Sequence, residues 1–245
     1  MSLLEIHNMT KRFYHLTALR DVSMDVEQGE LLGLIGPNGS GKTTLFNCVT
    51  GILRPNKGEV TFKDRHITGA RADVVYHLGL SRTFQLIQLF PQMTAVENML
   101  MAAQERRGTL FSRLLYRDET PELERALNLI DYIGLSRVKD DVAANLSYGQ
   151  QKLLDFGMAL MPNPEVVLLD EPLAGVNPTM INELVTRIKD LNSQGYTFIV
   201  IEHNMEVIMS LCERIVVLSE GEKIAEGTPA EIYDNELVLD AYFGK

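Results

Sequence analysis

The sequence predicts an α/β fold, with an N-terminal antiparallel β subdomain and an inserted, mostly helical subdomain. Two apolar runs of strand length, VVLLD at 166–170 and TFIVIE at 197–202, are separated by a helical pattern from Thr179 to Asn192. That alternation is typical of βαβ units and a parallel sheet. Strand-like segments dominate the first 63 residues, and helical patterns dominate roughly 86–160. We therefore expect a single domain over 3–243, with the helical subdomain at about 86–160.

The other elements follow in chain order from composition and turn residues. Strands are predicted at 3–8, 22–27, 31–35 and 59–63, with a turn at 27–29 between two of them. Helices are predicted at 42–50 and over most of 94–107 and 119–133. Near the end, RIVVLSEG and EKIAEG form a strand pair around Glu220-Gly221, and a final helix runs from about Pro229 to Tyr242. No repeat or low-complexity linker interrupts this order.

Composition excludes several classes of function. The 245 residues are 45% hydrophobic and 23% charged, which is ordinary for a folded protein. The net charge of -10 argues against nucleic acid as a partner and against adsorption to an anionic membrane, because both depend on Lys and Arg. The apolar runs fall short of the ~20 residues that span a bilayer. The N-terminus lacks a signal-peptide layout, so we expect a cytoplasmic protein. Cys48 and Cys212 are expected to be packed thiols in a reducing compartment.

A glycine-rich stretch, GPNGSGKTT, follows the apolar strand LLGLI and precedes a helix. Its spacing is that of a P-loop, G-x-x-x-x-G-K-[ST], in the strand-loop-helix context. In such a loop the backbone amides point at phosphate oxygens, the lysine reaches the β and γ phosphates, and the next hydroxyl ligates Mg²⁺. The predicted nucleotide-binding residues are Gly36, Pro37, Asn38, Gly39, Ser40, Gly41, Lys42, Thr43 and Thr44. Of these, Lys42 is also assigned a catalytic role and Thr43 a metal-binding role.

Two adjacent carboxylates end the buried strand in VVLLDE. Asp170 is placed to hold a magnesium ion, usually through water, and Glu171 to polarise an attacking water. A strand ending in Asp-Glu is a common start of a loop, and its pairing with a P-loop is what favours catalysis. A P-loop with an acidic strand describes kinases, GTPases, helicases and transport ATPases alike. Neither a guanine-reading Asn-Lys-x-Asp motif nor the Arg-rich lid of a small nucleotide kinase is found.

Further motifs in order make the sequence resemble the ATP-binding cassette (ABC) family over nearly the whole chain. Phe13 stands where that family has an aromatic that stacks on adenine, and the neighbouring Tyr14 is the alternative. Gln85, in GLSRTFQ, matches the Q-loop glutamine, implied to touch Mg²⁺ and the attacking water. His203, in VIEHN, matches the switch histidine, implied to contact the γ-phosphate. The resemblance thus implies a P-loop NTPase with a RecA-like core that uses ATP and Mg²⁺.

A helix start, NLSYGQQK, predicts a capping box and also matches the family's LSGGQ signature. Ser147 at the N-cap can accept from the amide of Gln150, whose side chain can reach back. The resemblance implies that Ser147, Gly149 and Gln150 bind ATP held by a second subunit in a head-to-tail dimer. Tyr148 departs from the usual glycine, and Asn177 stands at the place of the family's aspartate.

These departures, with RTFQ, DEPLAGVNP and the ending EGTPAEIYDNELVLDAYFG, resemble the branch for branched-chain or hydrophobic amino-acid uptake. Lipopolysaccharide-export and urea or amide-uptake ATPases share these features and stay open. Two other hypotheses are a non-transport ABC ATPase and a regulatory module without turnover. A single cassette with negative charge argues against the first, and the intact catalytic residues argue against the second.

The resemblance also implies partners. A transmembrane permease would insert a coupling helix into a groove that maps to about Gln85–Ala103, where apolar side chains are plentiful, although each of them could instead belong to the subdomain core. A second ATPase subunit, identical or a sister chain, would complete the dimer, and an extracytoplasmic solute-binding protein would act indirectly. The protein would then be peripheral on the inner face of the cell membrane. LFSRLLYR at 110–117 is either a local helix or a membrane-facing patch.

Overall fold

The computed structural model describes residues 2–103 and 120–243, whose strands form one sheet of four and one of six. This is the α/β architecture that the sequence predicts. None of the helices within these two ranges is long and apolar enough to span a membrane. The stretch at 110–117 and the end of the helix predicted to reach Arg107 lie outside the described residues.

The first sheet is antiparallel, with the order β2-β1-β4-β5. Its strands are β1 (Ser2–Phe13), β2 (Leu16–Glu27), β4 (Lys57–Phe62) and β5 (Arg65–His66). β1 and β2 are longer than predicted because their hairpin continues through irregular positions. Asn8 and Asp21 have left-handed φ values of 50° and 57°, and the pairing register shifts around them. Such shifts break the period-2 alternation by which strands are recognised in a sequence.

The second sheet has the order β10-β9-β3-β8-β7-β6 and is parallel except for β10. Its strands are β3 (Leu31–Ile35), β6 (Leu80–Arg82), β7 (Val166–Asp170), β8 (Thr197–Ile201), β9 (Arg214–Ser219) and β10 (Glu222–Gly227). β5 and β6 were not predicted, because two or three residues are too few to show a period. The loops that follow β3, β7 and β8 leave the same edge of the sheet, where parallel α/β folds bind ligands.

Helices cover both faces of this sheet. They are α1 (Lys42–Val49), α2 (Ala72–His77), α3 (Ala95–Ala102), α4 (Thr120–Tyr132), α5 (Tyr148–Leu160), α6 (Pro178–Ser193), α7 (Met205–Leu211), α8 (Pro229–Tyr233) and α9 (Glu236–Phe243). The final helix predicted from Pro229 to Tyr242 is in fact two helices. Asn235 separates them because its side chain accepts hydrogen bonds from the amides of Leu237 and Val238 and so starts a new helix. The short helices α2 and α7 were not predicted.

The second, six-stranded sheet separates two hydrophobic cores. Leu31 and Ile35 of β3 point into one core, and Leu32 and Leu34 point into the other. The first core is closed by helices α3 to α9, and the second by α1, α2 and the antiparallel sheet. Cys48 and Cys212 are buried thiols, as the sequence predicts, and burial raises the pKa of Cys48 to about 11. Strands with both faces buried hold the loops at their carboxyl ends in place.

Candidate active site

The phosphate loop connects β3 to α1 and has a backbone that requires glycine. Gly36 and Gly41 have φ values of 145° and 106°, in a region that other residues rarely adopt. A Cβ atom on Gly36 would lie 2.0 Å from the carbonyl oxygen of Leu218, and one on Gly41 would lie 2.6 Å from that of Ala18. Gly41 is the N-cap of α1 and provides no side-chain cap, so no side chain covers the first amides of the helix. Open amides at a helix N-terminus suit an anionic ligand.

Lys42 turns back into the loop that precedes it. Its Nζ donates to the carbonyl oxygens of Gly36 and Pro37, at 2.8 and 3.0 Å, and lies 3.4 Å from Ser40 Oγ. Burial lowers the pKa of Lys42, while the nearby charges of Glu171 and Asp170 act in the opposite direction. The lysine therefore lies between the loop and the acidic end of β7. Thr43, next to it, is exposed, and so is Asn38.

The side chain of Glu171 brings three predicted catalytic residues together. Its Oε2 accepts a hydrogen bond from Gln85 Nε2 at 3.0 Å, and its Oε1 lies 2.9 Å from His203 Nε2. Glu171 itself has a left-handed φ of 51°, a strained conformation that is common at functional sites. Gln85 and His203 come from loops 86 and 32 residues away. They hold both oxygens of the carboxylate at the edge of the sheet.

Asp170, the last residue of β7, is buried and has one oxygen bound and one unpaired. Its Oδ2 accepts from Arg82 Nη2 at 2.9 Å, whereas Oδ1 has no hydrogen-bond partner in the described part of the chain. Burial raises the pKa of Asp170, and the Arg82 guanidinium opposes that shift. An unpaired buried carboxylate oxygen calls for an explanation. A hydrated Mg²⁺ that also contacts the Thr43 hydroxyl would supply one.

The donor set fits magnesium held jointly by protein and phosphates. Among the described residues no cluster of three or more His, Cys, Asp or Glu could hold a metal ion. Magnesium needs no such cluster, because it keeps several waters and binds through one or two carboxylates plus the phosphates of its substrate. Oxygen atoms of Thr43, Asp170 and Gln85 are ligands of the kind it takes.

Two site residues were missed in the sequence. Arg82 donates from Nη1 to Asn47 Oδ1 at 2.6 Å, besides its bond to Asp170, and its guanidinium lies 4.5 Å from the ring centroid of Phe84. Lys152, buried in α5, donates from Nζ to the carbonyl oxygen of Glu171 at 3.1 Å. Arg82 lies in GLSRTFQ and Lys152 ends NLSYGQQK, but no role was assigned to either residue within these motifs. The one available signal was an arginine three positions before the predicted Q-loop glutamine.

The predicted adenine contacts lie at the turn of the β1–β2 hairpin. Phe13 is 38% exposed, with Lys11 Nζ 5.0 Å from its ring centroid, and Tyr14 is fully exposed. Both rings are available for stacking, and the choice between them stays a prediction.

The signature segment has the predicted capping box. Ser147 Oγ accepts from the amide of Gln150 at 3.3 Å, and Gln150 Oε1 accepts from the amide of Ser147 at 2.9 Å. The Tyr148 ring packs on the same chain: a Cβ on Gly175 would lie 2.9 Å from its Cε1 atom. Asn177 caps α6, because its Oδ1 accepts from the amide of Met180 at 2.9 Å. An amide is a good N-cap, which accounts for Asn177 without a carboxylate.

Three features define the class of protein: the phosphate loop, the strand that ends in Asp170, and the cluster of Gln85, Glu171 and His203. Together with the signature helix they describe a P-loop ATPase. The sequence matches the family described as ABC transporter over residues 19–174, and the chain belongs to that family. Its residues 222–245 also match the family described as branched-chain amino acid ATP-binding cassette transporter.

Named relatives align with almost the entire chain. The high-affinity branched-chain amino acid transport ATP-binding protein LivG of Salmonella typhimurium is 40% identical over 250 residues, covering 99% of this chain and 98% of LivG. BraF of Pseudomonas aeruginosa, described in the same words, is 38% identical over the same fractions. The predicted resemblance to the branched-chain amino-acid branch is therefore confirmed.

Solved structures agree with the fold. MJ1267, an ATP-binding cassette of an ABC transporter in its ADP conformation, has a TM-score of 0.89 and 34% identity, with full coverage of both chains. The cassette MJ0796, a post-hydrolysis dimer bound to ADP and Pi, has a TM-score of 0.80 and 27% identity over 92% of this chain and 98% of that one. The chain is an ABC-type transport ATPase, as the sequence predicts.

Proposed function

We propose that this chain binds ATP with Mg²⁺ and hydrolyses it to power uptake of branched-chain or other hydrophobic amino acids through a transmembrane permease. The observation that carries the proposal is the carboxylate of Glu171, which lies between Gln85 and His203 beside the phosphate loop. The match of residues 222–245 and the names of LivG and BraF support amino acids as the solute over lipopolysaccharide or urea.

Hydrolysis would proceed by in-line attack of water on the γ-phosphorus. Glu171 would accept the proton of that water, because each of its bound oxygens keeps a second lone pair. Gln85 and His203 fix the carboxylate so that the water is aimed, and Lys42 with the loop amides neutralises charge on the γ-phosphate. Thr43, Gln85 and Asp170 would hold Mg²⁺, which would supply positive charge that offsets the charge of the phosphates. The bond from phosphorus to the ADP oxygen then breaks, which leaves ADP and phosphate.

We assign the second half of each site to another subunit. The start of α5, with Ser147 and Gly149, presents helix amides on an exposed surface, and such a helix end suits the γ-phosphate of an ATP bound by the partner. Gln150 takes part through the capping box, because its side-chain oxygen is already engaged by Ser147. The dimeric MJ0796 structure supports this pairing by similarity. Closure around two ATP molecules would move the permease, and hydrolysis would reset it.

The permease would dock at the segment after Gln85. Leu86 is 77% exposed and Phe90 is 45% exposed, which supports an apolar docking surface. Met99, from the same predicted groove, is fully buried and belongs to the subdomain core. Docking there would make the chain a peripheral subunit on the cytoplasmic face, with a solute-binding protein on the other side of the membrane.

Replacing Glu171 tests both the reaction and the transported solute. Purified Glu171→Gln is expected to bind ATP and accumulate as a closed dimer, while turnover falls by roughly 10² or more, a typical scale for loss of a general base. Phosphate release and size-exclusion chromatography with ATP measure these effects. In a strain that lacks this gene, the wild-type gene restores uptake of labelled leucine and Glu171→Gln does not. Turnover at the wild-type rate in Glu171→Gln would contradict the catalytic role of Glu171. Normal leucine uptake in the strain that lacks the gene would contradict the proposed solute.

A further inference from the structure

The C-terminal helix reaches the phosphate loop through a tyrosine. Tyr242, near the end of α9, accepts a hydrogen bond at its Oη atom from the backbone N–H of Gly36, at 2.8 Å. The two residues are 206 positions apart in the chain. Burial raises the pKa of Tyr242, so its hydroxyl stays protonated at neutral pH. Tyr242 belongs to none of the motifs that define the nucleotide site, although Gly36 begins the phosphate loop.

Gly36 begins the phosphate loop, and both its N–H and its carbonyl oxygen form hydrogen bonds. Its carbonyl oxygen accepts from Lys42 Nζ at 2.8 Å, while its N–H donates to Tyr242. A Cβ atom at this position would lie 2.0 Å from the carbonyl oxygen of Leu218 and 2.8 Å from Ser40 Oγ. The peptide group before Gly36 is therefore fixed by the tyrosine hydroxyl, and the peptide group after it contacts the lysine.

We propose that Tyr242 is a positioning residue for ATP binding, which sets the phosphate loop through the amide of Gly36. The inference rests on the proposed ATP-binding function and adds the C-terminal helix to that site. Without the hydroxyl, the N–H of Gly36 loses its only described partner, and a buried backbone donor without a partner is unfavourable. The loop then shifts to satisfy it, and the carbonyl that orients Lys42 shifts too.

Tyr242→Phe removes this hydrogen bond and little else. The helix stays docked, because Val238 from α9 is buried in the first core. The matched control is Tyr233→Phe in α8, since that ring is 71% exposed and is one helix away. Both variants are made in the full-length protein, alone and combined with Glu171→Gln so that ATP is bound without turnover.

We expect Tyr242→Phe to raise the Kd and KM for Mg-ATP roughly tenfold, equivalent to about 1.4 kcal/mol, with kcat within a factor of three. Tyr233→Phe should match the wild type in every measurement. A lower Tm with an unchanged Kd would show that the tyrosine only anchors the helix and would overturn the proposal. An unchanged Kd and Tm would overturn it as well. If the wild-type protein itself failed to bind ATP, the proposed function would fail instead, so the two failures are distinguishable.

Discussion

At the scale of single residues, Arg82 joins parts of the site that no motif connects. Its guanidinium pairs with Asp170 and hydrogen-bonds Asn47 of α1, and it lies against the ring of Phe84, one residue before Gln85. The two side chains of the ion pair are almost completely buried. Buried ion pairs add little net stability, but removing one partner leaves a charge in a medium that disfavours it. Arg82 thus fixes the orientation of the carboxylate that we assign to Mg²⁺.

Arg82→Met is expected to lower the free energy of unfolding by about 3–5 kcal/mol, because it strands the carboxylate of Asp170. The pKa of Asp170, already raised by burial, should rise further, because Arg82 is the strongest influence that opposes the shift. Urea denaturation at pH 7.5 measures the loss of stability. Mg²⁺ should also bind more weakly, because Arg82 fixes the orientation of the carboxylate assigned to it. Titration of ATP binding against Mg²⁺ measures this effect.

Arg71→Met is the control for Arg82→Met. Arg71 pairs with Asp73 in an exposed position, where an ion pair is worth about 0–1 kcal/mol. The double variant Arg82→Met, Asp170→Asn should lose less stability than the two single losses added together, since it leaves no stranded charge. Equal stability of Arg82→Met and Arg71→Met would contradict the account of the buried pair.

Sequence reasoning found the residues whose spacing encodes chemistry. The P-loop places Lys42 by fixed offsets from its glycines, and the strand before Asp170 is recognisable from its apolar run. Gln85 and His203 were found only through resemblance to a family, and the structure brings both to Glu171. Arg82 and Lys152 escaped because their partners are 88 and 19 residues away, and nothing local in the sequence marks such a contact.

At the scale of elements, α3 and α5 begin with the same capping box but differ in proposed function. Thr94 and Glu97 exchange hydrogen bonds at the start of α3 as Ser147 and Gln150 do at the start of α5. The structural contribution of the two caps should therefore be similar. Only the cap of α5 is proposed to face a nucleotide held by another subunit. The pair offers a way to separate capping from catalysis.

Ser147→Ala and Thr94→Ala should each lower stability by about 1 kcal/mol, the usual cost of losing an N-cap. Ser147→Ala should also weaken ATP-dependent dimer formation and lower ATPase activity, whereas Thr94→Ala should leave both unchanged in the isolated protein. Thermal unfolding, sedimentation with ATP in the Glu171→Gln background and phosphate release supply the three readouts. If the two variants reduced activity equally, the N-terminus of α5 would have no special role.

Helices and strands were predicted well where a regular hydrophobic pattern was followed by a clear boundary in the sequence. β3, β7 and α6 match their predicted ranges to within a residue or two, because both faces of the strands are apolar and α6 has a regular amphipathic period. The final helix was predicted as one piece because a single asparagine rarely marks a break inside a helical pattern. Asn235 does so here by capping α9 with its own side chain.

At the scale of the whole molecule, α5 connects the helical region to the catalytic edge of the sheet. Lys152 reaches the carbonyl of Glu171, and the ring of Tyr148 lies against Gly175 in the loop that follows. Asp155, one turn further along α5, is buried beside Lys152, and the backbone N–H of Gln88 donates to its carboxylate. The signature helix is thus tied to both the Glu171 loop and the Q-loop segment. Composition and periodicity predict that α5 exists, but not these long-range ties.

The buried carboxylate of Asp155 predicts a pH-dependent stability. Burial raises its pKa to about 6, against the lowering effects of Lys152 and the amide of Gln88. The ordinary pKa of an aspartate is 3.8. Between pH 3.8 and about 6, the folded protein therefore holds a proton on Asp155 that the unfolded chain has released. The stability that this group contributes is therefore complete below the lower pH and is lost as the pH rises through the higher one.

Asp155→Asn, which cannot ionise, should remove that dependence. The free energy of unfolding of the variant relative to the wild type should increase by roughly 2–3 kcal/mol between pH 4 and pH 7.5, since each pKa unit corresponds to 1.36 kcal/mol. Urea denaturation of both proteins across this range measures the difference. The exposed Asp234→Asn controls for the loss of one negative charge and should show a flat difference. A flat difference for Asp155→Asn as well would mean that Lys152 and Gln88 compensate the buried charge in full, and α5 would then carry an ordinary ion pair.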